Sequence, residues 1–372
     1  MAKLRTALLS AAHLLMDLTT VAFVYILIGV REFTLPEGAW YSERPAFAIA
    51  ACVLVYDLLA FGLQPFIGAL VDSKKRAAPL LYGSLFGAGI AALVCALCDY
   101  PQEINALSVA LLALFSLCNA LFHVAAGAFV IAESEKKSAP LGVFVSLGAV
   151  GVALGRLYAP ALLGAAGIGL AGFGAVFLFL KTGDKVLRPH FARIAAPPYE
   201  TEADILPLAL LAFAVFVRGF GNSALPAGYE LSPLYILLAA LAAAFGKAAG
   251  GFLADIAGVR AVAICLPVAA CLLAFGANWP AVYLMGLVLF NTSMPVTLWL
   301  SFAALPRLRN TAFGVMACFL MLGSVLAMAV SVPMWVSFAL VLLSGAAIAA
   351  PPCLFKNKSC LPMRRKKGEY HV

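Results

Sequence analysis

Between its second and third apolar segments the chain reads Gly68-Ala-Leu-Val-Asp72-Ser-Lys-Lys-Arg76, and between the eighth and ninth it reads Gly251-Phe-Leu-Ala-Asp255-Ile-Ala-Gly258-Val-Arg260. In both stretches glycine precedes aspartate by four residues, and a basic residue follows the aspartate. Glycine lets two helices approach closely, and an aspartate at a helix end can accept hydrogen bonds from the N-terminus of a neighbouring helix. The repeat therefore predicts two related helical halves whose ends can be latched in one conformation. The gating residues predicted from it are Gly68, Asp72, Lys75, Arg76, Gly251, Asp255, Gly258 and Arg260.

The composition of the whole chain is that of a membrane protein. Of its 372 residues, 64% are hydrophobic and 11% are charged, whereas a soluble domain has about 45–50% apolar and about 25% charged residues. A helix needs about 20 apolar residues to cross a ~30 Å hydrocarbon core, so this length provides for about a dozen crossings. A soluble globule and a transport ATPase with a nucleotide domain are both excluded.

Twelve apolar segments can be placed along the chain, six on each side of a polar stretch that contains three prolines. The sequence thus predicts an all-α membrane protein with twelve transmembrane helices in two six-helix halves. The fifth and sixth spans are expected at 140–158 and 160–180. The predicted units are an N-terminal bundle (1–180), a cytoplasmic linker (181–204), a C-terminal bundle (205–355) and a basic cytoplasmic tail (356–372).

Most of the 25 Lys and Arg residues lie at segment ends on one side of the predicted membrane. Short connections rich in Lys and Arg stay in the cytoplasm, so both termini are predicted to be cytoplasmic in a multi-pass protein of the cell (plasma or inner) membrane. This placement explains the net charge of +8 without a nucleic-acid partner. The basic tail is expected to contact membrane lipid, and the protein is expected to be a monomer.

Ionisable side chains inside the apolar segments are the best site candidates, because a charge there is costly unless it faces a partner or a wet cavity. His13 and Asp17 share one helical face, as do Asn119 and His123, since each pair is four residues apart. The proton-coupling candidates are Asp17, His123, Asp57 and His13. The alternative is that these groups form fixed contacts that only hold helices together.

The second half contains basic residues within its spans but no acid. Arg218 and Lys247 predict an anion-attracting surface, because guanidinium groups bind carboxylate or phosphonate oxygens in a bidentate way. Alternatively, both side chains extend to the membrane interfaces. The substrate-binding candidates are Arg156, Arg218, Lys247, Asn119 and Asn291, the last in a predicted helix kink.

Motifs of enzymes and metal sites are not found in the sequence. Most of the nine cysteines lie in apolar segments, where they pack as small hydrophobic residues. A phosphate loop, an HExxH pair and a serine elbow are all absent. We therefore expect no enzymatic activity, no cofactor and no metal site.

The repeat resembles the loop signature of the major facilitator superfamily, which has Gly, three residues, Asp, a basic residue, then Gly and further basic residues. The first half also resembles the fosmidomycin-resistance-like branch of that superfamily. This resemblance rests on His13-Leu-Leu-Met-Asp17, Leu63-Gln64-Pro65, Asn119-Ala-Leu-Phe122-His123 and Gly148-x-x-Gly151-x-x-x-Gly155. Val124 and Arg156 stand where that branch usually has proline. The resemblance implies secondary active transport by alternating access.

Residues and resemblance together predict a proton-coupled secondary transporter, antiporter or symporter, that exports a small organic compound or drug, an anion included. Proton-driven uptake of an organic anion is the alternative. A transporter-like receptor or scaffold is a further alternative, which the ionisable groups inside the spans disfavour. The predicted partners are a small-molecule substrate, protons and membrane lipid.

Overall fold

The computed structural model describes residues 2–29, 45–134, 137–195, 203–224, 232–330 and 332–355. Their regular structure is entirely helical, which agrees with the predicted all-α class. The predicted tail at 356–372 and residues 196–202 of the predicted linker lie outside the described residues.

Sixteen α-helices follow one another through the described ranges. They are α1 (Ala2–Gly29), α2 (Pro45–Asp57), α3 (Gln64–Lys74), α4 (Ala78–Leu97), α5 (Ala106–Glu133), α6 (Ala139–Ser146), α7 (Gly148–Phe179), α8 (Asp184–Ala195), α9 (Ile205–Ala224), α10 (Pro233–Ala257), α11 (Val259–Phe275), α12 (Pro280–Asn291), α13 (Ser293–Ala304), α14 (Arg309–Ala329), α15 (Met334–Ala349) and α16 (Pro351–Leu354). A π-helical turn, Leu58–Gly62, joins α2 to α3.

Nine helical segments of the described chain are long and apolar enough to cross a membrane, and two shorter apolar helices lie at 205–221 and 259–275. Helices suit this environment because they satisfy their backbone hydrogen bonds internally. The chain is therefore a multi-pass membrane protein, as its composition predicts.

The direction of the chain changes within α7. Tyr158 has non-helical backbone angles (φ −129°, ψ 29°). Beyond it, Gly164 lies against Ala96 near the end of α4, whereas Phe177 accepts a hydrogen bond from Tyr82 near the start of α4. This part of α7 therefore runs antiparallel to α4, and the break at Tyr158 falls between the segments predicted as spans five and six.

The predicted linker contains a helix, α8, that packs against the start of α4. Asp184 accepts hydrogen bonds from the backbone N–H groups of Ala77 (2.8 Å) and Ala78 (2.9 Å) and so caps α4. Lys75 Nζ lies 5.2 Å from the centre of the Phe191 ring, within the range of a cation–π contact. We call the end of the bundle that carries α8 the linker end.

At the linker end, Asp72 of α3 caps the N-terminus of α14. Its carboxylate accepts hydrogen bonds from the backbone N–H and hydroxyl of Thr311, both at 2.8 Å, and from the side-chain amide of Asn310 at 2.7 Å. A Cβ added to Gly68 would overlap the Asn310 backbone, so the glycine permits this close approach. The first copy of the repeat therefore joins α3 to a helix far along the chain.

The second copy forms a matching contact between α10 and α6. Asp255 accepts from the backbone N–H groups of Ser138 (2.7 Å) and Ala139 (3.1 Å), and the Ser138 hydroxyl donates to it at 3.0 Å. A Cβ on Gly251 would lie 2.8 Å from Ala139 Cα. The two aspartates thus cap one helix each across the linker end.

The third residue after each aspartate ends its helix with a positive φ. Gly258 has φ 86°, and Lys75, in the corresponding position of the first copy, has φ 56°. Glycine adopts such angles without steric cost, while lysine does so less readily. The repeat therefore encodes the same helix end twice, although only the second copy has the glycine.

We expect Asp72→Asn to shift the protein toward a state with an open linker end. Losing a charge-assisted helix cap removes about 1–3 kcal/mol from the closed state alone. Spin labels at positions 74 and 308 would report the change as a new population at longer distance. Asp184→Asn is the matched control. It weakens the cap of α4, which does not join α3 to α14, and should leave the distances unchanged. Identical distance distributions in Asp72→Asn and wild type would contradict the latch.

Candidate functional site

A cavity of about 730 Å³, counting its open mouth, lies between helices from the two parts of the chain. The first part contributes His13, Asp17 and His123, and the second contributes Lys247. Most other lining side chains are apolar, so these four set the charge of the cavity.

His13, Asp17 and His123 form one compact cluster on the cavity wall. Asp17 Oδ2 lies 3.1 Å from His13 Nε2, and Asp17 Oδ1 lies 3.6 Å from His123 Nε2. The two Nε2 atoms are themselves 2.8 Å apart, with the rings at nearly a right angle. All three residues are buried. The sequence predicted two helical faces, and the structure shows that these faces meet.

Asn119 holds the carboxylate of Asp17 in place. Its side-chain amide donates to Asp17 Oδ1 and to the hydroxyl of Thr20, each at 3.0 Å. Asn119 thus supports the cluster from within α5 and is fully buried. It was predicted as a substrate contact, whereas here its amide donors are used inside the protein.

Glycine at position 148 makes room for the cluster. A Cβ there would lie 2.6 Å from both Asp17 Oδ2 and His13 Nε2, too close for either atom. Gly155, from the same glycine motif, lies against the backbone of Leu18. The motif therefore packs α7 closely onto α1. It also places the short interruption between helices α6 and α7 beside the side chains of Asp17 and His13.

Within the described ranges, the cluster brings one donor atom from each of its three residues to within 4.8 Å of the others, a grouping that could hold a metal ion by distance alone. Two imidazoles on one tetrahedral zinc ion have nitrogen atoms about 3.3 Å apart, given Zn–N bonds of about 2.0–2.1 Å. The observed 2.8 Å is a hydrogen-bond distance instead. Lys247 on the same cavity also disfavours a cation.

Lys247 and Arg218 are the basic groups of the second part. Lys247 lines the cavity, whereas Arg218 is 2% exposed and does not line it. Arg218 Nη1 lies 3.2 Å from the Ser293 hydroxyl and 3.4 Å from that of Thr297. Within the described ranges, neither cation has a carboxylate within salt-bridge distance. In the described part of the chain, this region therefore carries positive charge with no acidic group in direct contact.

The remaining predicted site residues lie off the cavity wall. Asp57 is half-buried at the end of α2, and Arg156 is exposed one turn beyond the cavity-lining Val152. Asn291 is buried, and its amide donates to the Leu287 carbonyl of its own helix at 2.9 Å. The structure therefore brings Lys247 and the cluster together at the cavity and leaves these three outside it.

Gln64 lines the cavity but was not among the predicted site residues. Its Nε2 donates to the Ala60 carbonyl at 2.8 Å, and its buried Oε1 has no hydrogen-bond partner in the described structure. The Leu63-Gln64-Pro65 motif was the signal that could have identified it.

Comparison with known proteins adds evidence on the fold. No family model matches the chain, and no curated protein matches it. Among solved structures, the human organic anion transporter MFSD10 (TETRAN) is similar, with a TM-score of 0.60 and 16% identity over 95% of this chain and 99% of that one. The chain thus shares the overall fold of that transporter. The major facilitator superfamily and its fosmidomycin-resistance-like branch stay predictions.

Gly148→Ala should destabilise the protein, because the new methyl group would displace either the acid or the imidazole. Forced overpacking of this kind costs about 1–3 kcal/mol. Thermal unfolding in detergent would show a lower midpoint. Gly172→Ala, in the same helix with no atom within 4 Å of the added Cβ, is the control and should unfold at or above the wild-type midpoint. Equal midpoints for the two variants would show that the cluster is not constrained by Gly148.

Proposed function

We propose that this protein is a secondary transporter that moves a small organic anion across a membrane by alternating access and is coupled to protons. One observation carries the proposal. The cavity between the two parts of the chain is lined both by Lys247 and by the buried His–His–Asp cluster, and Lys247 has no acidic partner within salt-bridge distance in the described ranges. The similar human structure is named as an organic anion transporter, which supports the same substrate class.

The proposed architecture has twelve spans in two six-helix halves, 1–180 and 205–355, joined by the linker at 181–204. The break at Tyr158 supports the separation of spans five and six. The linker end is proposed to lie on the cytoplasmic side of a cell membrane, because Lys74, Arg76 and Arg260 lie there.

Alternating access requires contacts that exist in one state and break in the other. The caps formed by Asp72 and Asp255 have this character, since each joins a helix of one half to a helix of the other. Gly142 adds a close backbone contact, because a Cβ there would lie 2.7 Å from the Lys247 carbonyl oxygen. The structure then represents the state with a closed linker end.

Lys247 is proposed as the anion contact, and Arg218 adds positive potential from behind the cavity wall. Two neighbouring positive charges in surroundings of low dielectric attract an anion more strongly than they would in water. Asp57, Arg156 and Asn291 have no proposed contact with substrate in this state.

The charges favour cotransport of the anion with a proton. A proton bound to the cluster and an anion near Lys247 attract each other, and this coupling is reciprocal. The sequence predicted export, and export driven by an inward proton gradient would be antiport, which instead requires the proton and the substrate to exclude one another. Proton-driven uptake is therefore the direction that we propose.

Proteoliposomes containing the full chain would test this function with a panel of carboxylates, phosphonates and sulfonates. Acidification of the side opposite the linker end should drive accumulation of an anion inside, and Lys247→Gln should reduce it about tenfold or more, since one charge contact is worth about 1.4 kcal/mol or more. Lys185→Gln, an exposed change on α8, is the control and should transport normally.

Two results would contradict the proposal. If Lys247→Gln accumulates the anion as the wild type does, Lys247 is not the substrate contact. Anion movement opposite to the proton flow would replace cotransport with antiport.

A further inference from the structure

We propose that His13 and His123 bind a single proton between their Nε2 atoms and act as one unit, with Asp17 as its fixed counter-ion. This inference rests on the proposed coupling to protons and names the group that carries the proton. The sequence offered His13, His123, Asp17 and Asp57 as separate candidates, whereas the geometry combines the two histidines.

The outer ring nitrogens determine the tautomer of both histidines. His13 Nδ1 lies 2.9 Å from the Phe144 carbonyl oxygen, and His123 Nδ1 lies 2.9 Å from the Asn119 carbonyl oxygen. A carbonyl oxygen only accepts, so each Nδ1 must carry a hydrogen. A neutral ring in this tautomer presents a lone pair at Nε2.

The distance of 2.8 Å between the Nε2 atoms then fixes the number of protons between them. With no proton, two lone pairs would face each other, and with two protons, two N–H groups of two cations would collide. One proton gives an N–H···N hydrogen bond of ordinary length. The pair therefore carries one positive charge.

Asp17 is the counter-ion because its carboxylate lies directly against the histidine pair. Oδ1 accepts a hydrogen bond from the Asn119 amide at 3.0 Å, and Oδ2 lies 3.1 Å from His13 Nε2. A hydrogen on Oδ2 would need the lone pair of His13 Nε2 as its acceptor, and the shared proton already occupies that position. The carboxylate thus stays ionised and neutralises the shared proton.

The other charged or titratable groups around the pair come from three further helices. Tyr56 of α2 is buried and interacts electrostatically with Asp17. Lys247 of α10 interacts with both Asp17 and His123 across the cavity, and Arg218 of α9 lies behind Lys247. The nearby parts of α6, α13 and α14 contribute a backbone carbonyl and apolar side chains. Lys247 is therefore the one cation on the cavity wall, within the described ranges, that opposes proton binding.

Proton counting on the purified full chain, without any transport substrate, would test the unit. Acid–base titration should show that the double variant His13→Gln/His123→Gln binds one proton fewer than the wild type, not two. His371→Gln, in the predicted basic tail, is the control and should add a second lost proton when combined with that double variant. If the double cavity variant loses two protons, the two histidines titrate independently and the proposal is overturned.

A measurement on the wild type avoids any folding defect of the variants. Nitrogen NMR of protein labelled at histidine should show hydrogen on both Nδ1 atoms and one hydrogen shared by the two Nε2 atoms in the protonated state. Two fully protonated rings, or a bare Nδ1, would overturn the assignment. Because neither experiment involves transport, a negative vesicle assay would refute the proposed function without touching this result.

Discussion

Buried polar and charged groups need partners inside the protein, and this constraint organises the cluster of His13, Asp17 and His123. All three residues are buried at the cavity wall, and protein groups hold their polar atoms. Asn119 and two backbone carbonyls supply those partners. Close approach is required for all of these contacts, and Gly148 provides it at the point where a Cβ would touch both the acid and the imidazole. The glycine motif and the charged cluster are therefore one structural unit.

The short helix α6 connects this cluster to the linker end. Its first residue, Ala139, is capped by Asp255 of the other half, and near its end the Phe144 carbonyl accepts the hydrogen bond from His13. Between them, Gly142 lies against the backbone of Lys247. A rigid helix whose two ends contact the Asp255 cap and the proposed proton site is a physical route for coupling them. In the proposed unit, loss of the proton leaves two lone pairs facing each other, and relieving that contact requires His13 or its partner α6 to move.

Much of this arrangement can be predicted from the sequence, because periodicity and spacing determine which residues share a helical face. The pairs His13/Asp17 and Asn119/His123 were predicted on this basis. That the two faces touch depends on how α1 packs on α5, which no local pattern encodes. The Phe144 contact had no signal at all, because any residue offers a backbone carbonyl. Burial of Arg218 behind the wall likewise depends on the hydroxyls of another helix, so a basic residue within a span could equally have been a cavity residue.

The two copies of the repeat form the same kind of helix cap but lie next to different side chains. Asp72 and Asp255 cap helices in corresponding ways. Lys75 and Gly258, which end α3 and α10, both have a positive φ. The Asp255 cap leads through α6 to His13, whereas the helix capped by Asp72, α14, presents apolar side chains such as Phe313 to the cavity. In the proposed mechanism, a change in proton occupancy therefore acts directly on the Asp255 cap, and the Asp72 cap responds only through the movement of the helices. A symmetric scaffold with an asymmetric charge distribution would, under the proposed proton coupling, let a single proton bias which end of the cavity is closed.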